Sequence, residues 1–144
     1  MLRQRIITAL VLLAIVLPAL FAHAPLPFAV VTLVMIGAAG WEWGRLNGQN
    51  ATTAVLMGLA LAGACAGTLV AGWSGQALRP VWWAASLTWL VGGWVALRGG
   101  PTAWPRLPAS LRAMAGLVLL WVGWLALVQA RAIGINFMLS VLCL

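Results

Sequence analysis

Residues 27–46 read PFAVVTLVMIGAAGWEWGRL. No charge occurs between Pro27 and Trp41, and then Glu42 and Arg45 arrive within one helical turn. At 1.5 Å per residue, a helix of ~20 apolar residues crosses the ~30 Å hydrocarbon core of a bilayer. The stretch therefore reads as a membrane helix that ends at an interface. Glu42 is the single carboxylate side chain in 144 residues, set against eight arginines and no lysine or aspartate. Residues three apart share a helix face, so Glu42 and Arg45 are expected to pair. Trp41 and Trp43 are expected beside them at headgroup level, where aromatic belts form. A positioned polar pair serving a phospholipid site is a sharper reading, compatible with the first.

The rest of the chain agrees with a membrane setting. It is 65% hydrophobic and 6% charged, with a mean hydropathy of +1.08. Soluble domains carry about 25% charged residues, so that class is excluded. The expected fold class is all-α: a polytopic integral membrane protein with about five full transmembrane helices and a truncated sixth. The net charge of +7 does not indicate nucleic acid, because the arginines are dispersed between apolar runs rather than gathered on one patch. Cys65 and Cys143 form neither a disulfide framework nor a metal spacing.

Taken in order, the expected spans are 6–21, 27–43, 51–71, 80–97, 113–128 and, partially, 133–144. Ala22-His23-Ala24 resembles a signal-peptidase site. A second apolar run begins at Leu26, which favours a retained hairpin turning at His23-Ala24-Pro25 over a cleaved, secreted product. Asn47-Gly48-Gln49-Asn50 is a polar turn, and the acceptor pattern Asn50-Ala51-Thr52 falls on the cytoplasmic side, where it has no meaning. In the third span, the Gly63/Gly67 spacing is expected to allow close helix contact. Pro80 suits a helix start. The connection Arg98–Arg112 contains Gly99-Gly100, Pro101, Pro105 and Pro108, which forbid a continuous helix, and Ser110 is the expected cap of the fifth span. Gln129-Ala130-Arg131 closes that span. The last run, 133–144, is only about 18 Å long as a helix, so the sequence is expected to be an incomplete piece of a longer protein. By alternation Arg3, Arg5, Arg45, Arg98, Arg106 and Arg112 lie with the N-terminus and Arg79 and Arg131 opposite. That bias puts the N-terminus in the cytoplasm.

Catalytic constellations are largely excluded. With one Glu, one His and no Asp, neither a carboxylate pair nor a Ser-His-Asp triad can be assembled. Magnesium–phosphate sites take one or two carboxylates, and Glu42 stands beside an arginine. No phosphate-binding glycine loop is present. Glu42, Arg45, Arg98, Arg106 and Arg112 are the candidates for contact with a phospholipid headgroup. No catalytic residue and no metal ligand is expected among these residues.

Two motifs carry a family resemblance. Leu2-Arg3-Gln4-Arg5-Ile6-Ile7-Thr8-Ala9-Leu10 is similar to the opening of bacterial phosphatidate cytidylyltransferases, or CDP-diacylglycerol synthases. Glu42-Trp43-Gly44-Arg45-Leu46 resembles the sequence that ends the second helix in that family. The resemblance implies transfer of a cytidylyl group from CTP to phosphatidate, giving CDP-diacylglycerol and pyrophosphate, in phospholipid biosynthesis at a bacterial inner membrane. It implies Mg2+ as cofactor, with acidic ligands in a C-terminal half that would follow Leu144. It also implies phosphatidate and CTP as partners, no nucleic acid, and a homodimer as the form of self-association to consider. The chain alone is then expected to be inactive. The alternative is a small non-enzymatic membrane protein, either half of a transporter or an assembly factor. Spans nearly free of ionisable residues argue against transport.

Overall fold

A computed structural model describes residues 2–72, 78–99 and 107–143, apart from the side chains of residues 2, 5 and 96. Six α-helices follow one another: α1 (Leu2–Phe21), α2 (Leu26–Leu46), α3 (Ala51–Val70), α4 (Arg79–Gly99), α5 (Ala109–Ile133) and α6 (Ile135–Cys143). There is no strand among the described residues. Four helices, α2 to α5, are long and apolar enough to cross a membrane, and the apolar part of α1, Ile6–Phe21, is shorter. The all-α membrane architecture thus stands. The helices overrun several expected spans: the fifth extends from Ala109 to Ile133 rather than from 113 to 128.

The α2–α3 hairpin is the most extensive contact in the molecule. Its turn is set by local chemistry. Gly48 takes the left-handed conformation (φ +75°), which a residue without Cβ adopts without strain. Its N–H donates to the Arg45 carbonyl (3.0 Å) and the Gln49 N–H to the Gly44 carbonyl (3.1 Å), the Schellman arrangement that satisfies the last carbonyls of a helix. Asn50 then starts α3, its Oδ1 accepting from the Thr53 N–H at 2.8 Å. That is the work of the residue whose sequence pattern matched a glycosylation acceptor: it is a helix cap.

Close approach in this hairpin runs through glycines other than the expected ones. Gly63 and Gly67 have nothing within 4 Å of where a Cβ would stand. Contact is made by Gly37, Gly40 and Gly44 of α2 against Ala54 and Gly58 of α3. A Cβ on Gly58 would lie 2.6 Å from the Gly37 carbonyl oxygen, and one on Gly44 2.9 Å from the Ala54 Cα. Small residues that admit a neighbouring backbone are how membrane helices associate, because apolar side chains find lipid as congenial as protein. The buried residues of α3 (Ala54, Gly58, Leu61, Cys65 and Thr68) alternate by four and three, the spacing of a single seam.

Helix α5 closes the bundle against α2 and α3. Trp124 is 1% exposed and sits in a cluster with Leu61, Cys65, Leu78 and Leu125. A buried indole N–H needs an acceptor. Trp124 Nε1 donates to Thr32 Oγ1 (3.1 Å), and the Thr32 hydroxyl donates in turn to the Phe28 carbonyl (2.7 Å). A second cluster of Leu20, Phe28, Ala130 and Met138 joins the end of α1, the start of α2 and the α5–α6 junction.

Arg131 stands at its expected end of the bundle but does not close the fifth helix, which runs on to Ile133. It lies inside α5 and is 9% exposed. Its Nε donates to the Leu20 carbonyl (2.9 Å) and its Nη2 to the Ala22 carbonyl. The last carbonyls of a helix have no intrahelical partner and carry the negative end of the helix dipole, so a guanidinium there answers both needs. Arg131 ties α1 to α5 across the His23 turn. Ser110 departs from its expected role. Pro108 stands at the cap position of α5 with no side-chain cap bond, and Ser110 lies within the first turn.

Candidate functional site

The chain reverses at residues 22–25 and 47–50, so the start of α1, the end of α2 and the start of α3 lie at one end of the bundle. Trp43 brings the start of α5 to the same end: its Nε1 donates to the Ala113 carbonyl at 3.1 Å. Its ring lies where a Cβ on Gly116 would stand. The two tryptophans flanking Glu42 therefore do different work. At 100° per residue, positions two apart lie on opposite helix faces. Trp43 turns inward to dock α5, and Trp41 turns outward and remains exposed.

The expected ion pair between Glu42 and Arg45 is not formed. Both residues are exposed, and the Arg45 guanidinium carbon stands 5.4 Å from the centroid of the Trp41 ring. A cation within about 6 Å of an indole face is attracted by the ring quadrupole. Residues four apart are only 40° apart around the helix, against 60° for residues three apart, which favours Trp41 over Glu42 as the partner. Glu42, Arg45 and Leu46 line a shallow depression at this end.

Of the other candidates, Arg98 closes α4 with its guanidinium 4.2 Å from the Trp94 ring centroid. Arg112 is half-buried in the first turns of α5, and its Nε is enclosed without a hydrogen-bond partner. Arg106 lies outside the described residues. Arg45, Arg98 and Arg112 are not in contact with one another; what they share is a position near helix ends. Arg131, whose two bonds link α1 to α5, was missed by sequence reasoning as a structural residue. An arginine among the last residues of a long apolar run was the available signal.

A magnesium ion does not fit the side chains present. Glu42 is the single carboxylate, His23 is exposed in the turn at the opposite end of α2, and Cys65 is buried in the core. No group of three His, Cys, Asp or Glu side chains comes together among the described residues.

Fold and site together define a polytopic helical membrane protein with arginines near helix ends and no assembled catalytic centre among its described side chains. Residues 3–144 match the sequence model of the Cytidylyltransferase family, and the chain belongs to that family. No solved structure gives a significant match.

Proposed function

We propose that the chain serves the transfer of a cytidylyl group from CTP to phosphatidate, yielding CDP-diacylglycerol and pyrophosphate for phospholipid synthesis. The setting is a bacterial inner membrane with the N-terminus in the cytoplasm. The observation that carries this reading is the family match over residues 3–144. Helices long and apolar enough to cross a membrane suit a protein whose diacyl substrate is dissolved in the bilayer. The charge distribution supports the orientation. Arg131 is consumed by the α1 carbonyls, which leaves Arg79 as the arginine of the other end with its side chain exposed. Cytoplasmic ends carry the excess of positive residues.

Within this reading the chain's own residues hold lipid rather than perform chemistry. Arg98 and Arg112 offer cationic groups to a phosphomonoester at the membrane surface, each contributing about 1 kcal/mol there. Phosphoryl-type transfer rests on metal and positioned charge. The metal-dependent step is therefore assigned to groups other than these side chains. The test is depletion of the gene in its natural host, followed by incubation of isolated membranes with labelled CTP and phosphatidate. CTP-dependent labelling of lipid should fall with the protein, and the purified 144-residue chain should show no turnover. Unchanged labelling on depletion would overturn the proposal and move the weight to a scaffold role.

A further inference from the structure

Helices α2 and α3 leave an open apolar groove of about 380 Å³ on the side turned away from α5, lined by Val34, Gly37, Trp41, Val55, Gly58 and Leu59. Its floor is glycine: a Cβ on Gly37 would already meet the Ala62 Cβ at 3.3 Å. Its walls are open, with Val34 69% and Leu59 64% exposed. Val34, Gly37, Trp41 and Arg45 follow one another by three, four and four, a single stripe along α2. Arg45 stands over the Trp41 ring, so the groove leads directly into the polar depression formed by Glu42, Arg45 and Leu46. From Val34 to Arg45 is about 16 Å along the helix, close to the ~15 Å depth of one leaflet.

Those features together have the outline of one phospholipid: a narrow apolar channel one leaflet deep, with polar groups at its mouth. The mouth holds one cation and one anion on exposed side chains that do not pair with each other. A purely anionic headgroup would meet repulsion from Glu42. A zwitterionic headgroup carrying a primary ammonium matches both charges, its phosphate on Arg45 and its ammonium on Glu42. We propose that the α2–α3 face binds a phospholipid of the phosphoethanolamine type in the leaflet at the end of α2, one acyl chain lying in the groove. Because lipid tails gain little by leaving lipid, selectivity resides in the headgroup, at about fivefold per matched charge near the surface. This site goes beyond the transfer reaction proposed above, and binding is measured without turnover, so the two readings fail separately.

The test is native mass spectrometry of the purified chain with an equimolar mixture of dioleoyl lipids carrying ethanolamine, choline or glycerol headgroups. The ethanolamine lipid should be retained about fivefold over the glycerol lipid, which lacks the ammonium, and above the choline lipid, whose methylated ammonium has no N–H to donate to Glu42. Glu42→Gln should abolish its advantage over the glycerol lipid, and Arg45→Gln should weaken retention of every headgroup. Val55→Trp, which fills the groove from an exposed position, should lower retention of all three lipids. Arg45→Gln gives up only the contact of the guanidinium with the Trp41 ring, between exposed side chains, and unchanged thermal unfolding should show the bundle intact in all three variants. Equal retention of ethanolamine and choline lipids, preference for the glycerol lipid by the parent, or an unchanged preference in Glu42→Gln would each overturn the proposal.

Discussion

Replacing Arg131 by methionine tests the least expected feature of the fold. Methionine keeps the apolar stem of the side chain and removes the guanidinium, which leaves the Leu20 and Ala22 carbonyls without their donors. Each buried carbonyl left unsatisfied costs about 1–3 kcal/mol. Loss of the cation at the α1 C-terminus adds up to about 1 kcal/mol more, since the position is largely shielded from solvent. Relief from burying a charge offsets part of this sum, because desolvation of a guanidinium is itself unfavourable. The expected net loss is about 2–4 kcal/mol. Arg131→Lys keeps the charge but not the two-pronged geometry that reaches both carbonyls, so it should fall between parent and methionine variant. Reversible unfolding in mixed micelles of SDS and a mild detergent, followed by tryptophan fluorescence, gives the free energies. If Arg131→Met unfolds within about 0.5 kcal/mol of the parent, the usual scatter of surface substitutions, the bridge between α1 and α5 is not a source of stability.

The glycines give a second, comparative prediction. Gly58→Ala should destabilise the chain by about 1–3 kcal/mol, since its Cβ meets the Gly37 backbone. Gly63→Ala, in open space on the same helix, should be neutral or stabilising by up to about 1 kcal/mol. The same unfolding assay decides, and equal effects at the two positions would refute the assigned packing face. For the α2–α5 contact, a double-mutant cycle of Trp124→Phe and Thr32→Val should return a coupling energy of about 0.5–1.5 kcal/mol for their hydrogen bond. Strict additivity of the two substitutions would show that the bond contributes nothing.

The legible and the illegible parts of this protein divide along one physical line. Chain-local quantities were readable: the length of apolar runs, the turn at Asn47–Asn50 and the start of α4 beside Pro80 follow from the residues present. The family could also be read, because its two motifs are contiguous in sequence and residues 3–144 match its model. What could not be read was which face of each helix meets a neighbour. In a soluble protein the buried face is the apolar one. Here both faces are apolar, since lipid replaces water, and the alternation of polar and apolar residues that marks an interior is erased. The Gly63/Gly67 pair and the Gly40/Gly44 pair have the same spacing, and only the path of the chain through space selects the second as a contact.

The candidate site shows the same division. The sequence by itself determined that Glu42 and Arg45 lie within one turn at the end of a membrane helix. It did not determine their partners, because a long side chain reaches several neighbours and the choice depends on ring and backbone positions. Tertiary structure set Arg45 over Trp41, bonded Trp43 to the Ala113 carbonyl, and joined Arg131 to the carbonyls at the end of α1. Hydrophobicity placed the helices in the membrane; steric fit and the need to satisfy buried polar groups decided how they meet.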